Sequence, residues 1–498
     1  MPAATPHGFT SPPGASEREI PVLWALVPVV SLILLLFLVI VVVPMELGGA
    51  AAQSETTSKF EGSGHFPLIL AGAIGALVAA RFGWKWHAIH AGMLYTINLA
   101  MGAVLILLVI GVLMATWMAS GIVPALISWG LELMAPSFFL PATCAVCSFV
   151  SLVTGSSWST AGTVGVALIG VAQAMGIDPA MTAGAIISGA YFGDKLSPMS
   201  DTTNLAPAMA GSDLFAHIRH MLWTTGPSWV IAMATFTIVG LTMNATDLGT
   251  SVDEIQTLLQ EKFDPGPVHL VIPVLVIAMV FKRSPPLPTL ALGAGLGGVL
   301  AMFRGVQLSE VLSVGLNGYV SSTGNAAVDE LLSRGGMFSM HSTVFLILAA
   351  MVFSGVLERT GMLRVLAFSV LSRADSTRSL IASTVLTSIG ANILAADQYI
   401  SVVVPGRMYA EEYRRRGLAP QNLSRALEDG GTITSPLIPW NTCGAFMSAA
   451  LGVATGSYAM YCFLNLANPI VSIFYGVTGW TILKAPEQAG SQAPDSGI

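Results

Sequence analysis

Two runs of polar residues stand out because apolar sequence flanks them on both sides. The first is Gly193-Asp194-Lys195-Leu196-Ser197-Pro198-Met199-Ser200-Asp201-Thr202-Thr203-Asn204. The second comes in two parts, Asn392 with Asp397-Gln398, and Glu428-Asp429 leading through Thr434-Ser435-Pro436 to Trp440-Asn441-Thr442. Pro198 has no amide proton and disfavours helix in the residue before it, so the backbone is expected to open there. An opened backbone frees carbonyl oxygens, and the neighbouring side chains add carboxylate, hydroxyl and amide oxygens. Hard cations take oxygen ligands, and unwound carbonyls beside half-helix ends are how transporters hold Na⁺. A carboxylate in the same place can take a proton instead.

Asp201 is the first choice for such a shared carboxylate and Asp397 the second. Asn204, Asn392, Asn441 and Thr442 are candidate neutral ligands, with Thr154, Ser157, Ser200 and Ser435 as further hydroxyl ligands. The step Thr154–Ser159 reads equally well as hydroxyls bonded to carbonyls of their own helix. Asp194 and Lys195 read as a tuning pair; if the two do not meet, Asp194 becomes a second proton carrier. Lys195 and Arg407 could alternatively supply positive charge to an organic anion. The plainer reading of the first run is a turn outside the membrane, and of Asp397 an interfacial helix end.

The surroundings must then be hydrocarbon-compatible. Of 498 residues 54% are hydrophobic and 10% charged, against roughly 25% charged in soluble domains. Mean hydropathy is +0.73. This excludes a soluble enzyme, and a net charge of −6 points to no nucleic-acid partner. Four cysteines in apolar surroundings make no disulfide framework, and Cys144-x-x-Cys147 lacks the second pair of a zinc site. There is no Walker A sequence, so ATP is not the expected energy source, and no cofactor is expected. The pairs His87/His90 and His217/His220 are expected at interfaces or in loops.

Apolar runs lie at Val22–Val43 and near 64–82, 94–118, 137–154, 158–175, 217–244, 267–281, 285–303, 340–357, 378–396, 397–410 and 440–480. Unpaired backbone amides are not tolerated in lipid, so these are helices. The shorter stretches 121–135, 179–193 and 422–438 suggest re-entrant or broken helices. Basic residues at Arg81 and Lys85, Lys282-Arg283 and Arg414-Arg415-Arg416 are placed in the cytoplasm. The expected organisation is a disordered tail 1–20, one transporter domain 21–483 and a tail 484–498. Within the domain, halves near 65–244 and 267–480 echo each other. Gly176-Ile177-Asp178-Pro179 precedes Ser197-Pro198 as Gly417-Leu418-Ala419-Pro420 precedes Ser435-Pro436. An earlier break is expected at Thr154-Gly155-Ser156-Ser157 in one half and Gly390-Ala391-Asn392 in the other. Paired interruptions of this kind mark the binding site of a repeat-built secondary transporter.

The motif Gly193-Asp194-Lys195-x-Ser197-Pro198-x-Ser200-Asp201-Thr202-Thr203-Asn204-Leu205-Ala206-Pro207 resembles the central motif of NhaC-type Na⁺/H⁺ antiporters. Ala396-Asp397-Gln398-Tyr399, Pro405-Gly406-Arg407-Met408 and Thr434–Thr442 resemble the second half of that pattern. The resemblance spans roughly 65–480. It implies an all-α polytopic membrane protein of the ion-transporter superfamily, with two inverted repeats, broken and re-entrant helices and about 10–13 transmembrane segments. It also implies a multi-pass protein of the cell (inner) membrane whose partners are Na⁺ or Li⁺, H⁺ and the lipid bilayer, with a homodimer allowed. The expected function is exchange of Na⁺ for H⁺ on a buried carboxylate, since an unperturbed Asp titrates near about 3.9 and only burial brings it towards ambient pH. The alternative is a Na⁺/H⁺-coupled organic-anion antiporter of the malate/lactate type. A channel or an intramembrane hydrolase finds less support: no filter-like repeat and no His-containing nucleophile arrangement is present.

Overall fold

The computed structural model describes residues 19–39, 64–133, 135–242, 249–282 and 284–485, and these are helical without a strand. Most of both expected tails, the end of the first apolar run and Arg283 lie outside the described residues. Helices α1 (Val22–Phe37) and α2 (His65–Arg81) pack side by side ahead of a first series. That series is α3 (Trp86–Ala119), α4 (Ile122–Leu133), α5 (Pro136–Thr154), α6 (Ser157–Thr160), α7 (Val166–Ala174), α8 (Pro179–Leu196), α9 (Asp201–Ala210) and α10 (Leu214–Thr242). A π-helical turn, Ala161–Gly165, joins α6 to α7. Five linking helices follow: α11 (Gly249–Phe263), α12 (Val268–Phe281), α13 (Pro286–Phe303), α14 (Leu308–Asn317) and α15 (Ala326–Leu332). The second series is α16 (His341–Arg359), α17 (Met362–Leu371), α18 (Thr377–Ala395), α19 (Gln398–Arg415), α20 (Pro420–Leu427), α21 (Thr442–Leu451), α22 (Thr455–Tyr458) and α23 (Phe463–Thr478). Between α20 and α21 run a π turn, Glu428–Thr432, and a 3₁₀ turn, Ser435–Leu437.

The two series match in order. A left-handed residue ends the third long helix of each, Gly155 (φ 69°) and Ala396 (φ 55°), and a side-chain cap starts the next helix at once. Left-handed Gly176 and Gly417 precede Pro179 and Pro420, where proline's fixed φ suits the first turn of a helix. Gly211 and Gly452 close the helices that follow the second break. One expectation shifts. Gly390-Ala391-Asn392 lies inside continuous helix, and the chain opens instead at Ala396, a position the sequence does not mark with glycine. Likewise 179–193 belongs to an unbroken 18-residue helix, α8, whereas 422–438 is broken as expected.

Among the described residues six helices have the length and hydropathy to cross a membrane. Two bent pairs, Gln256–Phe263 with Val268–Met279 and Thr455–Tyr461 with Phe463–Thr478, bring the number to eight, and shorter apolar helices add to these. Leu77, Phe149, Ile238 and Ile470 point outward from them, more than 60% exposed. In water such a surface would be an aggregation hazard; in a bilayer it is the solvent contact. Away from the apolar helices, Asp329 collects the Thr323 amide and hydroxyl, the Ser321 hydroxyl and the Gly324 amide. Those donors, the Thr323 amide foremost, hold its carboxyl at about 2.

Close contact between α5 and α8 sets the position of the first break. A Cβ on Gly189 would lie 2.2 Å from the Cys144 carbonyl oxygen, and one on Gly193 2.3 Å from the Leu152 amide nitrogen. Small residues let helix backbones approach where lipid supplies no hydrophobic drive to association. Gly189→Ala is therefore expected to cost about 1–3 kcal/mol through forced repacking. Gly390→Ala meets nothing within 4 Å, and as a helix-interior glycine it should gain about 0.8–1.0 kcal/mol. Thermal unfolding of both purified variants in detergent checks the contrast; equal melting would refute the packing argument.

Candidate functional site

Four breaks meet in the interior, and each is closed by a side-chain cap. Ser156 accepts from the Ser159 amide and Ser200 from the Thr203 amide in the first series. Asp397 accepts from the Tyr399 and Ile400 amides and Asn441 from the Cys443 amide in the second. Such caps satisfy the amides that a helix start leaves orphaned.

Within each series the two breaks touch. A Cβ on Gly155 would sit 2.9 Å from the Ser200 amide nitrogen, so the first two breaks approach backbone to backbone. Asp194, in the last turn of α8 and 7% exposed, accepts from the Ser157 amide at 3.1 Å and the Ser157 hydroxyl at 2.6 Å. In the second series the Thr442 amide donates to the Ala396 carbonyl at 2.9 Å, and its hydroxyl to Asp397 Oδ2 at 3.3 Å. Asn441 Nδ2 donates to Asn392 Oδ1 at 3.1 Å, while the Asn392 amide donates to the Gly431 carbonyl and to Thr434 Oγ1. Asn392, Asn441 and Ser435 are fully buried, and Asp397 is 3% exposed.

The series then interlock. The Trp158 ring just past the first break stacks on Phe446 of α21, centroids 4.1 Å apart. Helix α9, which starts at the second break, packs on α19, which starts at the third. The Tyr191 hydroxyl lies 3.4 Å from Ser435 Oγ, which also donates to Gln398 Oε1. Tyr399 stands within electrostatic reach of Asp194, Asp201 and Asp397 together.

Several expectations change on this geometry. Asp201 is exposed, not buried: it is the first residue of α9, just past its cap, and the Ser197–Ser200 turn directs it outward. A carboxylate there is still favoured by the helix N-terminus. Asn204 is also exposed and donates to the Pro198 and Ser200 carbonyls, holding the turn rather than facing the interior. Thr154 donates to the Ser151 carbonyl of its own helix. Ser200 is buried and bonded to the Thr202 hydroxyl. Arg407 is exposed. Asp194 and Lys195 do not pair: the fully buried Lys195 ammonium donates to Asp429 Oδ1 and to Asn468 Oδ1. His217 and His220 are buried rather than interfacial, and His217 Nδ1 lies 2.7 Å from Ser424 Oγ.

Sequence reasoning passed over Tyr191, Asn465 and Asn468. A signal for the asparagines was present: Asn465, Asn468 and Ser472 recur at helical spacing in an apolar run, which puts three polar groups on one face of α23. For Tyr191 none was.

Residues 189–480 match the sequence model of the Na⁺/H⁺ antiporter family. The chain is 38% identical over 430 residues to the Na⁺/H⁺ antiporter NhaC of Alkalihalophilus pseudofirmus, covering 86% of this chain and 93% of that protein. It is 36% identical over 414 residues to the malate-2H⁺/Na⁺-lactate antiporter of Bacillus subtilis, covering 83% and 88%. It is also 36% identical over 426 residues to the arginine/ornithine antiporter ArcD of Halobacterium salinarum, covering 84% and 88%.

The buried Lys195–Asp429 pair yields a stability test. Removing one member strands the other charge, so Lys195→Met should cost about 3–5 kcal/mol. The double variant Lys195→Met/Asp429→Leu should recover much of that loss, because an apolar pair of similar volume is tolerated. Unfolding temperatures of the three proteins in detergent decide it; a double variant no better than the single would show that the pair is not the unit.

Proposed function

This chain belongs to the Na⁺/H⁺ antiporter family, and from that premise we propose that it exchanges Na⁺ for H⁺ across the cell (inner) membrane on the buried carboxylates Asp194 and Asp397. The observation that carries the reading is their common setting, Asp194 at the later break of its series and Asp397 at the earlier break of its own. Each lies at one of two matched pairs of helix breaks, buried, with a hydroxyl from the facing break on one oxygen: Ser157 for Asp194, Thr442 for Asp397. The ionised carboxylate attracts the cation and adds an oxygen ligand. The protonated one offers no charge, so the two cargoes exclude each other on the same oxygens. Neutral oxygens of Asn392, Asn441, Ser157 and Thr442 complete a hard ligand set. Asp201, exposed and within electrostatic reach of Asp194, draws cations to the rim.

Na⁺-dependent proton movement in everted vesicles tests this. Asp194→Asn and Asp397→Asn are each expected to abolish exchange, by about 10²-fold or more if an ionised ligand is worth at least about 3 kcal/mol. Asp201→Asn should raise the Na⁺ concentration for half-maximal exchange while leaving the maximal rate near wild type. Asp397→Glu should shift the pH optimum. Full exchange in both Asn variants, normally inserted, would refute the assignment. Proteoliposomes with a pH dye, challenged in turn with Na⁺, Li⁺, malate, lactate and arginine, separate cation exchange from organic-substrate exchange.

A further inference from the structure

Beside the exchange site lies a second set of buried polar groups that it leaves unused. Glu428 opens the π turn between α20 and α21 and is fully buried. Neither of its carboxylate oxygens makes a hydrogen bond in this conformation, although the Thr432 hydroxyl, itself unbonded, stands close enough to act on it. Asp429 Oδ2, Asn465 Oδ1 and Ser472 Oγ share that condition. Helix α23 is tied to the end of the turn by Asn465 Nδ2, which donates to the Ile433 carbonyl at 2.8 Å, and to α8 by Asn468 Oδ1, which accepts from the Lys195 ammonium at 2.8 Å. The widened backbone is itself informative, since π turns inside helices recur at functional sites. Gly430 lets this one press on α18: a Cβ there would lie 2.5 Å from the Val385 carbonyl oxygen.

The charged groups that face Glu428 are Lys195, Asp194 and Asp429. Lys195 already serves Asp429 and Asn468. Arg425 has Asp429, Tyr413 and Tyr475 within electrostatic reach, and His217 of α10 neighbours Lys195. An ionised carboxylate buried here without a hydrogen bond bears a desolvation cost that the attraction of Lys195 only partly offsets, and Asp194 and Asp429 add two like charges. A carboxylic acid escapes the charge repulsion and keeps only the smaller cost of a buried neutral polar group.

We infer that Glu428 is a second proton-binding site, separate from Asp194 and Asp397, carrying a proton on its carboxyl in the conformation described here. Its transfer involves the O–H bond alone: the proton leaves Glu428 for a water molecule on one side of the membrane, and the carboxylate regains one from water on the other. The proton itself needs no cation cargo; its consequence rests on the exchange reading, where each cycle moves one proton more than the Na⁺-competing carboxylates provide.

Two measurements test this on the full chain. Infrared difference spectra of the protein in lipid nanodiscs, recorded between acid and alkaline buffer, read protonated carboxyls directly. Glu428→Gln is expected to lose one carbonyl band that Glu428→Asp shifts. Reversal potentials in proteoliposomes should show the H⁺:Na⁺ ratio lowered by about one in Glu428→Gln. Unchanged spectra and an unchanged ratio would overturn the inference. Should Glu428→Gln not insert, Glu428→Asp decides: a moved band supports the site, and an unmoved one overturns it. If the wild type shows no Na⁺-driven proton movement the exchange reading falls, and the infrared result alone supports or overturns Glu428.

Discussion

A backbone amide in hydrocarbon has no water to bond, so every place where a membrane helix opens must be closed by the protein itself. The four breaks here obey that constraint in the same way. Ser156, Ser200, Asp397 and Asn441 each turn a side-chain oxygen onto the amides of the helix that follows. Caps of this type consume donors. What remains at the breaks is therefore rich in acceptors: freed carbonyls, hydroxyl lone pairs and carboxylate oxygens. Capping and the proposed cation binding thus draw on one requirement, and such a site would need no element beyond those that keep the helices intact.

The second constraint is that the matched series cannot be separated without stranding charge. Lys195 belongs to α8, but its counter-charge Asp429 lies in the second series, and Thr224 of α10 adds a hydroxyl to the same carboxylate at 3.1 Å. Trp158 on Phe446 and Tyr191 beside Ser435 add apolar and polar contacts across the same divide. On the proposed assignment, a cation at Asp194 would change the field at Lys195, one residue on, and through it at Asp429. Such coupling follows from adjacency and low dielectric rather than from a long relay.

How much of this the sequence revealed depends on whether a feature is local. The apolar runs, the Thr154–Ser157 step, Pro198, Pro436 and the Gly-x-x-Pro openings are local, and they marked the helices and three of the four breaks. Ala396 was missed because alanine gives no sign of a left-handed backbone; the chain carries it there against a cost that glycine would avoid. The exposure of Asp201 beside a buried Asp194 was hidden for another reason. The two are seven residues apart, a spacing that would put both on one face of a continuous helix. The break between them resets the helical phase, so Asp194 ends one helix facing inward and Asp201 starts the next facing out. Lys195 was assigned to its sequence neighbour, whereas its partner is 234 residues away, a relation that no spacing rule contains.

That partnership also bears on what the breaks can admit. An anionic substrate needs a fixed positive charge or a helix N-terminus with free amides. Here the four helix starts at the breaks are capped by their own side chains, and Arg407 faces outward. Lys195 could turn to an anion only by leaving Asp429, and a buried carboxylate deprived of its counter-ion costs about 3–5 kcal/mol. An incoming carboxylate would have to repay that cost before it gained anything, while a cation finds oxygens already in place. The balance of donors and acceptors at the breaks thus favours positive cargo on physical grounds that do not depend on any relative.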